Sequence, residues 1–251
     1  MKKCLQILNL TLLLGLTACS SSTPVEPATS VSVEEQDAIY ALQLQMPDEA
    51  AYALDTALKK YQAVDDLAGQ WRIRYVKASL AFAKEDLGEA AAQADVLEEI
   101  AGQLNSREIK FKTSLVLARS RNDNQYYYDA LNFASSAIEK AVVQAYLGDT
   151  SLAVKMLEGI GSNSPADRGF IYYQHALATG STAFFQLSLD AYKLAEDSRG
   201  VADSLVSLAR IESEDNRVHQ AKTYARRAVR VLEAAGDNEK AEKINTWIST
   251  L

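Results

Sequence analysis

The stretch VADSLVSLARIESEDNRVHQAKTYARRAVRVLEAAGD, residues 201–237, decides how the rest of the chain reads. Val201, Leu205 and Leu208 fall at i, i+4 and i+7, which predicts a helix with one apolar stripe. The run Ser213-Glu214-Asp215-Asn216 breaks that pattern with residues that favour turns. A second stripe follows at Ala221, Ala225, Ala228 and Leu232, with Tyr224 beside it. Gly236 closes the unit, because glycine enters the left-handed conformation that ends a helix at little steric cost. The prediction is an antiparallel helical hairpin of about 34 residues. Its alanines allow two helices to approach closely without voids.

The spacing of the second helix, small or apolar residues at i, i+4 and i+7, recurs upstream. It is found at Ala50/Leu54/Ala57, Ala90/Ala94/Leu97, Ala130/Ala134/Ala137 and Ala153/Leu157/Ile160. A degraded copy, Ala183/Leu187, has Asp190 in the third place, with Ala191 as its substitute. Each copy has a candidate partner helix before it: 33–45, 69–86, 106–121, 136–149 and 166–180. Breaks are expected at Pro47-Asp48, Leu87-Gly88, Asn122-Asp123-Asn124, Gly148-Asp149 and Gly180. The final segment, NEKAEKINTWISTL, has one apolar face (Ala241, Ile244, Ile248) and no successor, as a capping helix would. Even spacing of the first three copies points to a helical-repeat solenoid. An irregular bundle of the same helices is the alternative.

The chain holds 26 basic and 33 acidic residues in 251, a net charge of -7. That balance argues against nucleic-acid binding, for which a basic surface is expected. Both cysteines, Cys4 and Cys19, lie in the first twenty residues, and the histidines are only His175 and His219. The body therefore has little material for thiolate or zinc chemistry, and neither metal nor cofactor is expected. No phosphate-cradling glycine loop or strained-serine elbow is present.

Residues 1–18 have the layout of a cleaved secretory signal: Lys2-Lys3, the apolar LNLTLLLGL core, then small residues. The apolar run is too short to span a bilayer comfortably. It ends Leu16-Thr17-Ala18-Cys19, which resembles the bacterial lipobox. That resemblance implies that Cys19 becomes the lipidated first residue of a mature lipoprotein, held to the bilayer by its acyl chains. With Ser20 after it rather than aspartate, the resemblance also implies an outer-membrane location facing the periplasm. Residues 19–31 then hold the lipidated cysteine and a polar, proline-containing tether. At about 3.3 Å per residue, that tether reaches on the order of 40 Å.

Over residues 32–251 the chain resembles the tetratricopeptide repeat family. Leu208-Ala209 with Ala221, Ala225 and Ala228 match its small residues at helix crossings, and YKLAEDSRGVADSLVSLARIE (192–212) resembles junctions of its longer-period members. The resemblance implies an all-α, helical-hairpin solenoid that binds a protein partner rather than an enzyme. Its binding face is expected on the first helices of successive pairs, with Trp71, Arg74, Lys77, Tyr127, Tyr172 and Tyr173 as candidates. Three consecutive tyrosines, 126–128, cannot all face a core, since adjacent helical residues point about 100° apart. A basic stripe at Lys222, Arg226, Arg227 and Arg230 is a second candidate, suited to an anionic partner. The expected partner is an envelope-assembly protein serving pilus or secretin biogenesis, outer-membrane protein insertion or cell-wall enzymes. Two other functions stay open. A small-ligand or glycan carrier needs a pocket around Phe170, Tyr173 and Phe184, and a glycan-acting enzyme needs a convergent acid.

Overall fold

The computed structural model describes residues 31–43, 46–160 and 164–251. The expected signal (1–18), its lipobox residues Leu16, Thr17 and Ala18, Cys19 and the tether through residue 30 lie outside the described residues. Every element described is an α-helix. The chain divides into two compact units, with the boundary between Phe133 and Ala134.

The first unit contains α1 (Val33–Gln43), α2 (Pro47–Ala63), α3 (Leu67–Ala83), α4 (Leu87–Gln103), α5 (Arg107–Arg121) and α6 (Asn124–Phe133). The second contains α7 (Ala137–Tyr146), α8 (Thr150–Leu157), α9 (Pro165–Thr179), α10 (Thr182–Leu194), α11 (Ser198–Glu214), α12 (Val218–Ala234) and α13 (Asn238–Thr250). In both, consecutive helices associate as hairpins: α1 with α2, α3 with α4, α5 with α6, α7 with α8, α9 with α10 and α11 with α12. α13 packs on α12. The protein is thus an all-α stack of helical hairpins within each unit, of the generic tetratricopeptide-like kind.

Residues 67–106 and 198–237 share one plan, two 17-residue helices each followed by a three-residue turn. Each repeat is therefore 40 residues long, longer than the 34 expected from size alone. Helices of 17 residues span about 25 Å, so the extra length adds roughly one turn of contact to each helix. Small residues occupy equivalent places in both. Ala78, Ala90 and Ala94 in the first, and Ala209, Ala221 and Ala225 in the second, are fully buried.

The turns have a common grammar. A residue with positive φ ends one helix and an aspartate directly after it caps the next, at 65–66, 85–86, 148–149, 196–197 and 236–237. The carboxylate accepts a hydrogen bond from the third backbone N–H of the new helix, as Asp66 does from Gly69 at 2.9 Å. One of the unpaired donors at the helix start is satisfied this way. Glycine supplies the left-handed residue at 148, 180 and 236, where any side chain would be strained.

Three predicted registers need correction. Ala130, Ala134 and Ala137 do not share a helix, because α6 ends at Phe133 and α7 starts at Ala137. Ser136 and Glu139 form a capping box there, and that reciprocal bonding starts a new helix where alanine spacing suggested continuity. On α10, Ala183 and Leu187 face solvent, and the buried stripe is Phe185, Leu189 and Tyr192. Leu87-Gly88 opens α4 instead of breaking the chain; the turn is at 84–86, with Glu85 left-handed.

Candidate functional site

On α3, the first helix of its pair, no side chain between Leu67 and Ala83 is fully exposed. Trp71 is buried, and its indole Nε1 donates to Thr113 Oγ1 on α5 at 2.9 Å. Its ring stacks on Tyr75 with centroids 5.1 Å apart. The expected role of Trp71 as a partner-facing residue is corrected: the indole joins α3 to α5 from inside. Arg74 and Lys77 keep partial exposure on the same helix. Arg74 Nη1 donates to Gln93 Oε1 at 3.1 Å, and Gln93 in turn donates to Glu89 at 2.8 Å. Among the described residues the buried Nε of Arg74 has no hydrogen-bond partner, and burial holds this guanidinium below its usual range. Lys77 reaches Asp55 on α2 at 2.7 Å, an exposed pair worth little.

Beside this helix lies a buried ion pair that sequence reasoning missed. Glu35 on α1 accepts from Arg72 through both oxygens, at 3.1 Å each, and from the Tyr61 hydroxyl at 2.5 Å. The Tyr61 oxygen also accepts from the Ser32 backbone N–H at 2.8 Å, and the Arg72 guanidinium lies over the Tyr61 ring. Burial pulls the Arg72 pKa down, but the hydrogen bonds and charge of Glu35 together with Tyr61 more than offset it, so the guanidinium ends above its usual range. Both Glu35 oxygens are committed, so the chemistry of this cluster is mechanical: it fixes α1 to α3. The one sequence signal was Tyr61 eight residues before Gly69, repeated as Tyr192 before Gly200. A Cβ at either glycine would sit under 2.5 Å from the tyrosine ring.

Tyr127 is buried in the core of its unit, which corrects its placement on a binding face. Its neighbour Tyr128 is 53% exposed, in line with the expectation that one of the three tyrosines meets solvent. In the second unit, α9 presents Tyr172, Tyr173, Gln174 and His175 in succession, all half-buried. Tyr172 leans on Phe184 at 6.0 Å, whereas Tyr173 meets Phe185 edge-on at 5.6 Å and lies 3.2 Å from the Ser207 hydroxyl on α11. Burial pushes the Tyr173 phenol up. Phe170 packs on Tyr146 at 4.5 Å, and His175 meets Phe184 edge-on while its Nδ1 bonds Thr150. Phe170, Tyr173 and Phe184, foreseen around one ligand space, thus each lie against a different neighbouring ring.

On α12, the core face is Ala221, Ala225, Ala228 and Leu232. Arg226 and Arg230 are exposed, and Lys222 and Arg227 are half-buried at the margins. Arg227 lies over the Tyr224 ring at 5.5 Å and faces Asp190 on α10. His219, Gln220, Thr223, Tyr224 and Arg227 line a shallow, open depression of about 300 Å³. The structure thus brings the basic stripe together as one surface, while the candidate tyrosines divide between the two units.

Among the described residues, no group of histidine, cysteine and carboxylate side chains is arranged to hold a metal ion. No described helix is long and apolar enough to cross a membrane. No protein-family model matches the chain, and no curated protein matches it.

Proposed function

We propose that this protein is a non-enzymatic scaffold, anchored to the outer membrane through an acylated Cys19 and facing the periplasm, which binds a protein of the envelope-assembly machinery. The observation that carries the reading is the repeated hairpin, in which identical 40-residue plans recur with their small residues in register. Stacked hairpins present successive first helices side by side, and such surfaces suit extended protein segments. Half-buried polar and aromatic side chains at Arg74, Lys77, Tyr172 and Tyr173 supply contact groups with little conformational freedom to lose. The lipobox resemblance at Leu16-Thr17-Ala18-Cys19 supports the anchor and the compartment.

Photoreactive residues at Lys77, Tyr128 and Tyr172 test the scaffold in cells. The expected result is one or a few discrete crosslinked envelope proteins identified by mass spectrometry; recovery of none from any position overturns the reading. Cys19→Ser tests the anchor separately. The variant should leave the outer-membrane fraction, and unchanged fractionation rules out lipid attachment at that residue.

A further inference from the structure

The outward face of α12 has a counterpart in the chain itself. α4 holds the same place in the other 40-residue repeat, and Asp95 and Glu99 sit where Arg226 and Arg230 sit in α12. α4 carries four carboxylates and no cation; α12 carries four lysines and arginines and a single acid, Glu233. The acidic face is answered inside the protein, since Arg121 pairs with Asp95 at 2.8 Å and Glu98 at 3.0 Å. Among the described residues, the basic face is not: no carboxylate lies within 4.0 Å of Lys222, Arg226 or Arg230. Among the described residues, Arg230 donates only to the Arg226 carbonyl of its own helix. Of the neighbouring carboxylates, Asp190 bonds Lys193 and faces Arg227, Glu212 and Asp215 hold Arg217, and Glu233, three residues after Arg230 on the same helix, forms no ion pair with it.

We propose that this face of α12 receives an acidic helical segment of a protein partner, with carboxylates four residues apart. This rests on the scaffold reading and names the chemistry of its partner. The ladder Lys222, Arg226, Arg230 repeats every four residues, about 6 Å along the axis, which is the pitch of glutamates at i, i+4 on another helix. Its backbone is regular and its inner face is locked by buried alanines, so the charges are presented on a rigid rail. The depression along one side offers Tyr224 and Thr223 to an uncharged side chain of the same segment. Each exposed pair is weak, so several must act together, and binding depends steeply on salt.

The test uses the purified protein and a fluorescein-labelled helical peptide of about 20 residues. The peptide carries glutamate at every fourth position, and a glutamine version serves as control. Anisotropy should show the acidic peptide binding at least about tenfold tighter than the glutamine version. That preference should fade between about 50 and 300 mM salt, and Lys222→Gln/Arg226→Gln/Arg230→Gln should abolish it. Circular dichroism should match the parent, since none of the three side chains fills the core. Equal binding of both peptides overturns the proposal, as does an unaffected triple variant. So does binding of anionic phosphatidylglycerol vesicles, but not of the peptide, through these residues. Crosslinks from Lys77 and Tyr172 that persist in the triple variant keep the scaffold reading separate from this one.

Discussion

Repeat 67–106 and repeat 198–237 are built on one backbone plan and filled by different chemistry. In the first helix, Trp71 and Ile73 occupy the places that Ala202 and Ser204 occupy in the second copy. In the second helix, buried Leu97 stands where Ala228 stands. What does not change is the glycine in the third position of the first helix, Gly69 or Gly200, and the alanines at the crossing. The constant residues are those against which another backbone or ring lies without clearance. The variable residues fill space whose depth depends on the neighbouring hairpin. Where the first copy needs an indole to reach Thr113, the second closes with hydroxyls, Ser188 donating to the Gly169 carbonyl at 2.9 Å and lying 3.1 Å from Ser204.

The largest predicted break follows from the filler. Trp71→Ala should lower unfolding free energy by about 3–5 kcal/mol, read by urea denaturation, because it leaves a cavity and strips Thr113 of its partner. Ala202, already small, has no such loss to suffer. The next effect tests the constant position. Gly69→Ala and Gly200→Ala each drive a methyl into a tyrosine ring, at 2.3 Å and 2.4 Å, and should each cost about 1–3 kcal/mol. Gly102→Ala is the opposite case: nothing lies within 4 Å and the residue is helical, so thermal unfolding should show a gain of about 1 kcal/mol.

This contrast also marks what was legible beforehand. Helical period, small-residue spacing and turn chemistry are local, so the hairpin at 201–237, its turn near Asn216 and the helix α13 were readable. The failures came where local signals competed. Alanine spacing across 130–137 concealed Ser136-x-x-Glu139, and on α10 the alanine at 183 concealed a stripe made of Phe185, Leu189 and Tyr192. The candidate site was less legible, because exposure is decided by partners distant in sequence. Trp71 meets Thr113 forty-two positions away and Tyr61 meets Glu35 across twenty-six. The basic stripe needed no partner to be recognised, and it kept its surface position.

Caps give the third comparison. Asp86 accepts from the Glu89 N–H at 3.0 Å at the start of α4, while Arg217 holds the same place before α12 and provides no side-chain cap. Asp86→Ala should cost about 1 kcal/mol. Arg217→Asn should gain about 0.5–1 kcal/mol, since the exposed pairs it loses to Glu212 and Asp215 are weak. Asp197, the cap of α11, adds a pH signature. Burial first, and Asp203 further, push its carboxyl above the ordinary value of 3.8. The folded protein therefore holds this proton more tightly than the unfolded chain, and its contribution to stability declines as pH rises through the folded value. Asp197→Asn keeps a capping oxygen and removes the charge, so its stability relative to the parent should improve between acid and neutral pH. A flat difference across that range would show that the carboxyl titrates alike in both states.

The smallest predicted effect separates strain from tolerance at one turn position. Glu85 and Asn216 are equivalent residues, with φ of 58° and 60°. Left-handed backbone costs a residue with a Cβ roughly 1–2 kcal/mol, and asparagine escapes part of that through local hydrogen bonding. Glycine removes the strain but increases the freedom of the unfolded chain, which takes back about half of the gain. Glu85→Gly should therefore stabilise by about 0.5–1 kcal/mol, and Asn216→Gly by only a few tenths. Differential scanning calorimetry on the two variants reads the comparison directly. Equal gains would place the cost in the backbone alone, whereas a larger gain at 85 assigns the difference to the side chain, which is what the shared geometry of the two turns requires.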